Sequence, residues 1–259
     1  MKHVTSKDGT RIAYETMGAG PPMVVVHGTL NDRRGWSPVI PLLSQQYTVY
    51  AMDRRGRGES GPNEAHALER EYEDVAAVIE AAGGVPVALV GHSFGAHAAL
   101  GAAALVPERV KHLVLYEPPT PGPVATPAFE QFAAAIKAGD LADGVHVFMK
   151  AAVGLSEEAV SAMRTSPMWA YLVSFAETLP VEGKAMVDYN FDPARFAFLK
   201  MPALFLVGSE TKERLGEVLR QLRPHMAQAQ WVEFEGHGHV ATLTAPHLFA
   251  ETVLGFLRS

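Results

Sequence analysis

Residues Val87 to Ala96 read Val-Ala-Leu-Val-Gly-His-Ser-Phe-Gly-Ala, an apolar strand running through Gly91-His92-Ser93-Phe94-Gly95 into a helix of small residues. A serine hydroxyl is a weak nucleophile until an adjacent base and a suitable geometry activate it. A sharp strand-to-helix turn supplies that geometry. It holds Ser93 in a strained backbone conformation with its oxygen exposed, while Gly91 and Gly95 leave room for the turn against its neighbours. The five letters gain their meaning from the residues on either side. Apart from His97, Gly95 to Leu105 is entirely Gly, Ala and Leu, as suits a helix buried close against a sheet. Ser93 is therefore the candidate nucleophile.

Strand and helix signals alternate through the first half of the chain, which argues for a parallel sheet with crossover helices. Lys7-Asp8-Gly9-Thr10 reads as a hairpin turn leading into a strand at Arg11 to Thr16. Further strands are expected at Met23 to Val26, Thr48 to Met52, Val110 to Tyr116, Ala203 to Val207 and Gln230 to Phe234. Helical spacing marks Leu68 to Ala82, Lys212 to Leu222 and Pro246 to Leu257. Between Pro118 and about Lys200 no strand pattern is found. There Phe129, Phe132, Ala133 and Ile136 share one helical face, as do Met168, Leu172, Phe175, Ala176 and Leu179.

Composition narrows the class. With 259 residues, 48% hydrophobic and 19% charged, the chain is long enough for a sizeable core and is not of disordered type. A formal charge of -6 and the lack of a dense Lys/Arg block argue against nucleic acid, since Arg54, Arg55 and Arg57 are too few for such a footprint. No cysteine is present, so disulfides and thiolate metal sites are excluded. No run approaches a membrane span and Met1 to Gly9 has no apolar signal region; a cytoplasmic location is the expectation. The histidines show no His-Glu-x-x-His, and Gly236-His237-Gly238-His239 lacks an obvious third ligand, so no metal is expected.

Taken together, His27-Gly28 after a buried strand, Asp53-x-x-Gly56-x-Gly58-x-Ser60, the Gly91–Gly95 turn, a helical insertion and Gly238-His239 after a last strand resemble the α/β-hydrolase superfamily, in its serine-nucleophile, esterase- or lactonase-like branch. The resemblance spans essentially the whole chain. It implies a mostly parallel eight-stranded sheet flanked by helices, with an antiparallel second strand. Residues 1–117 and 201–259 would form the core, and 118–200 an inserted helical cap over the C-terminal edge of the sheet.

Acyl transfer needs an imidazole that takes the serine proton and returns it to the leaving group. The family's Gly-His matches Gly238-His239 and favours His239 over His237; His92, His97 and His112 read as packed structural residues. An oxyanion hole needs two N–H groups. The resemblance assigns them to Phe94, after the nucleophile, and to Thr29, after His27-Gly28. Asp53 to Ser60 reads as a structural turn beside the site. The insertion's aromatics, Phe148, Trp169, Tyr171, Phe175 and Tyr189, read mainly as its own core, with one or two lining a pocket.

The acid departs from the family's usual place, three residues after the Gly that follows the Ala203–Val207 strand. Counted from Gly208, that position is Thr211, with Glu210 one step short and Glu213 two beyond. Some lineages carry the acid at the tip of the preceding strand, where this chain has Tyr116-Glu117-Pro118. Glu210 suits a solvated place near a helix start. An ionised Glu117 at a buried strand end needs a partner. Glu117 is therefore the expected acid and Glu210 the alternative.

The expected activity is a cofactor-free serine hydrolase acting through an acyl-enzyme on a small, largely apolar ester or lactone. The rival within the fold is a carbon–carbon bond hydrolase of ring-cleavage products; a cofactor-free lyase or a perhydrolase would use the same residues. The rival from another class is a non-catalytic small-molecule binding protein. Substrate identity and oligomeric state are not encoded in any motif.

Overall fold

The computed structural model describes residues 1–62 and 66–258. Strands β1 (Lys2–Thr5), β2 (Arg11–Met17), β3 (Pro22–Val26) and β4 (Thr48–Met52) are followed by β5 (Val87–His92), β6 (Val110–Tyr116), β7 (Ala203–Gly208) and β8 (Gln230–Phe234). Among the described residues they form one eight-stranded sheet in the order β1-β2-β4-β3-β5-β6-β7-β8. Only the pairs β1–β2 and β2–β4 are antiparallel. Strands β3, β5 and β7 are near-continuous apolar runs because helices cover a parallel sheet on both faces.

The helices are α1 (Ile40–Leu43), α2 (Leu68–Ala81), α3 (Phe94–Leu105), α4 (Thr126–Lys137), α5 (Leu141–Phe148) and α6 (Glu157–Arg164), then α7 (Pro167–Val173) and α8 (Leu179–Asp188). After β7 come α9 (Lys212–Leu215), α10 (Glu217–Leu222), α11 (Ala241–Thr244) and α12 (Pro246–Leu257). No helix among the described residues is long and apolar enough to cross a membrane. Two expected helices are each divided. The Lys212–Leu222 segment breaks at Gly216, which lowers the local preference for helix. The Met168–Leu179 stripe spans a break after Val173. Pro180 has no N–H to offer the carbonyl of Ala176, and its ring would clash there, so α8 starts anew with Pro180 in its first turn.

The chain divides into two compact units. One comprises Met1–Gly28, Asp32–Pro119 and Asp192–Ser259, and the other Thr29–Asn31 with Thr120–Phe191. In the first, one face of the sheet packs Val25, Val90, Val114 and Leu206 against Trp36, Phe249 and Val253. In the second, Leu30, Phe132, Val145, Trp169, Leu172 and Leu179 share a core. Phe148, Tyr171 and Phe175 belong to the same cluster, and the Tyr171 hydroxyl donates to Asn31 Oδ1 at 2.7 Å.

The strand order sets where chemistry can occur. From β3 the chain moves outward to β4, then returns to the other side of β3 as β5. At such a switch point the loops leaving neighbouring strands diverge and open a crevice at their C-terminal ends. Gly28 and Ser93 stand at those two ends. The approach of α3 to β3 depends on Gly95, where a methyl group would lie 2.4 Å from the carbonyl oxygens of both Val26 and His27. Gly95→Ala is expected to lower unfolding stability by about 1–3 kcal/mol through overpacking against rigid backbone. A urea midpoint equal to that of the wild type would contradict this account of the turn.

Candidate active site

Ser93 lies between β5 and α3 with φ 55° and ψ -127°, a conformation disfavoured for a residue with a side chain. Its N–H donates to the Tyr116 carbonyl at 2.8 Å, which ties the turn to β6. A methyl group at Gly91 would collide with Gly95 O at 2.5 Å and Ala96 Cα at 2.6 Å, and one at Gly28 would stand 2.8 Å from Ser93 Cβ. Glycine is thus required on three sides of the serine.

His239, on the loop after β8, places Nε2 3.0 Å from Ser93 Oγ. Its Nδ1 lies 2.7 Å from Glu117 Oε2. The network assigns the proton to Nδ1, which donates to the carboxylate and leaves Nε2 to accept from the serine hydroxyl. Glu117 follows β6 at φ 45°, fully buried. Its other oxygen accepts from Gly208 N–H at 2.7 Å and from the Thr211 hydroxyl at 2.5 Å. Three donors therefore face the two oxygens, the condition under which a buried carboxylate is tolerated. Glu210 takes another place, with its backbone N–H donating to His237 O at 3.1 Å. Thr211, occupying the position where an acid was first sought, is a donor to the carboxylate that reaches His239.

The loop that carries His239 is held by contacts that the sequence did not reveal. His92 Nε2–H donates to His239 O at 2.8 Å, and its ring stacks on Tyr116 with centroids 4.9 Å apart. The Tyr116 hydroxyl donates to Gly238 O and accepts from Ala241 N–H at 3.1 Å. Burial, and then the neighbouring His239, push His92 well below the ordinary histidine value, so its ring is neutral. On α3, His97 donates from Nε2 to Pro119 O at 2.6 Å, fixing the exit of the strand that carries Glu117.

Beside the site, Arg54 and Arg55 are buried and forked onto carboxylates of α2, Arg54 on Glu71 at 2.7 and 2.9 Å and Arg55 on Asp74 at 2.6 and 2.7 Å. Glu71 lies on the apolar stripe of α2 with Leu68, Tyr72 and Val75, and a charge on such a stripe was the available signal that it had a buried partner. Among the described residues no group of three or more His, Asp or Glu side chains is arranged to share a metal ion.

A model of the alpha/beta hydrolase family matches residues 23–252. The chain belongs to that family. The α/β-hydrolase is 26% identical to an (E)-2-((N-methylformamido)methylene)succinate hydrolase of Acinetobacter baylyi, over 95% of this chain and 94% of the other. Its fold matches an alpha/beta hydrolase from Sphaerobacter thermophilus with a TM-score of 0.87 and 35% identity, covering 99% of this chain and 100% of that one. An enol-lactonase from Burkholderia xenovorans, 19% identical with a TM-score of 0.81 and complete coverage of both chains, shares the fold.

Burial of neutral histidines is expected to lower the stability of this hydrolase as pH falls. Burial pushes His97 from an ordinary 6.5 down to about 4. Between those values the unfolded chain binds a proton that the native state refuses, so stability falls as pH drops through that window. His97→Gln is expected to flatten the decline by up to ~1.4 kcal/mol per pH unit between about pH 6 and pH 4. Urea unfolding at a series of pH values measures it, and an unchanged slope would show that His97 titrates normally.

Proposed function

We propose that this α/β-hydrolase cleaves small, largely apolar carboxylic esters or lactones through an acyl-enzyme, without a cofactor. The observation that carries the reading is the chain of contacts from Ser93 Oγ through His239 to Glu117, at 3.0 and 2.7 Å. In the first half-reaction Ser93 Oγ attacks the acyl carbon while His239 Nε2 takes its proton. Collapse of the tetrahedral intermediate expels the alcohol, which receives that proton from His239. In the second half-reaction His239 deprotonates water, which attacks the acyl-serine; as the C–Oγ bond breaks and the acid leaves, His239 returns that proton to Ser93 Oγ. Glu117 keeps the imidazole in its Nδ1–H tautomer and balances the imidazolium, and the N–H groups of Phe94 and Thr29 hold the oxyanion.

Preference for an uncharged acyl group is supported by Arg54 and Arg55, whose cations already face Glu71 and Asp74. The kinship to the methylenesuccinate hydrolase supports a second reading, in which the same residues hydrolyse a substituted, anionic methylenesuccinate. Turnover of p-nitrophenyl esters of rising chain length, lactones and a substituted methylenesuccinate separates the two. Covalent labelling by a fluorophosphonate separates both from a binding protein, which has no activated serine.

Ser93→Ala and His239→Ala are each expected to lower kcat by about 10⁴-fold or more, because the set acts as a unit, while His237→Ala stays near wild type. Glu117→Gln should cost roughly 10²–10⁴-fold by leaving the imidazole in the wrong tautomer, and Glu210→Gln less than about tenfold. The reverse order within either pair, read from steady-state kinetics, overturns the assignment of base or acid.

A further inference from the structure

We propose that Arg54 is a positioning residue for the oxyanion hole, holding the Gly28–Thr29 peptide so that its N–H faces the reacting carbonyl. The proposal rests on the serine-hydrolase reading above. It starts from a difficulty at Gly28. A methyl group there would lie 2.8 Å from Ser93 Cβ and 3.4 Å from Ser93 Oγ, so only glycine lets the backbone pass this close to the nucleophile. The same absence of a Cβ removes the steric restraint on rotation about the Gly28 backbone, and the peptide that follows is intrinsically free to flip. A flip would replace the Thr29 N–H with a carbonyl oxygen, which repels the negative charge it should stabilise.

In a planar trans peptide C=O and N–H point in opposite directions, so whatever holds the Gly28 carbonyl also aims the Thr29 N–H. Two donors hold it. His27 Nδ1–H reaches Gly28 O at 2.8 Å and Arg54 Nη1–H reaches it at 3.3 Å. Arg54 also governs the first donor, because its backbone N–H donates to His27 Nε2 at 3.1 Å, leaving the ring proton on Nδ1. Burial, and then the Arg54 charge, hold His27 down at about 3, so the neutral tautomer persists at working pH.

Arg54 is itself held on several sides. Its guanidinium is fully buried and forked onto Glu71, which also accepts from His66 Nε2 at 2.9 Å. Burial alone would raise the Glu71 carboxyl, yet Arg54 and His66 carry it well below the usual carboxylate range. The guanidinium also lies 4.1 Å from the centroid of the Phe94 ring, the residue that supplies the other oxyanion N–H. One planar fork thus meets Glu71, the Gly28 carbonyl and the Phe94 ring together. A lysine ammonium gathers its donors on one nitrogen and has no planar face, so it cannot serve all three.

The test uses Arg54→Lys, which keeps a cation beside Glu71, and the paired variant Arg54→Met with Glu71→Met, which avoids a lone buried charge. Each is assayed with p-nitrophenyl acetate and with the thionoacetate analogue, whose sulfur gains little from N–H donors. Folding is checked by thermal melting. The expected result is a kcat lower by about 10- to 100-fold with KM nearly unchanged, and a smaller preference for the oxygen ester over the thiono ester. A purely structural ion pair would leave that preference alone. The proposal is overturned if a folded variant keeps kcat within about threefold of wild type, or loses kcat at an unchanged oxygen-to-sulfur ratio. Should the paired variant not fold, Arg54→Lys decides. Failure of the serine-hydrolase reading has its own signature: wild-type Ser93 stays unlabelled by a fluorophosphonate and no ester is turned over, which overturns both.

Discussion

The site depends on one strained turn. Ser93 sits at φ 55°, a conformation that costs of order 1–3 kcal/mol for a residue with a side chain. It persists because β5 and α3 over-determine it. Gly91 and Gly95 allow the two elements to close to contact, and the Ser93 N–H is bonded to the Tyr116 carbonyl on the next strand. Relaxing the turn would break that bond and separate the helix from the sheet. The strain is thereby carried by the buried core, and the hydroxyl stays aimed at His239.

A second constraint follows from burying a carboxylate. Glu117 has no exposure to water, so both oxygens must find donors within the fold. The parallel register of β6 and β7, with Tyr116 opposite Leu206, brings Gly208 and the turn after it beside the end of β6. From there Gly208 N–H and the Thr211 hydroxyl occupy one oxygen and leave the other for His239. A carboxylate at position 211 would face Glu117 with like charge, so a neutral donor fits here. The departure at Thr211 and the carboxylate at Glu117 are two sides of one arrangement.

Much of this was legible in the sequence because it rests on local pattern. Buried parallel strands read as apolar runs, and the Gly91–Gly95 turn is contiguous, so strands β3 to β7 and the turn that carries Ser93 could be located from neighbours along the chain. The partnering of Glu117 was legible by a different route, since an ionisable group at the end of an apolar strand demands a partner. What stayed hidden was set by tertiary proximity. The bond of His92 to the His239 carbonyl joins residues 147 positions apart, and the Tyr116 hydroxyl clamps a loop more than a hundred residues away. Neither leaves a local signature. The helix breaks at Gly216 and before Pro180 were missed for another reason. An apolar stripe can continue in register across an interruption, and periodicity alone does not register it.

The charges around the serine show a common logic. Arg54 and Arg55 are each matched by a carboxylate of α2, so these two cations near Ser93 are balanced within the fold. His27, His92 and His97 are all pushed below the ordinary histidine value by burial and serve as neutral hydrogen-bonding groups. This matters most for His92, whose ring centroid is 4.7 Å from that of His239. In the proposed mechanism His239 becomes positively charged twice per turnover. A protonated neighbour at that distance would oppose each proton transfer, because like charges a few ångströms apart in a poorly solvated site interact strongly. A neutral ring imposes no such penalty, and it keeps its one N–H on the His239 carbonyl while the proton moves at the other end of the residue.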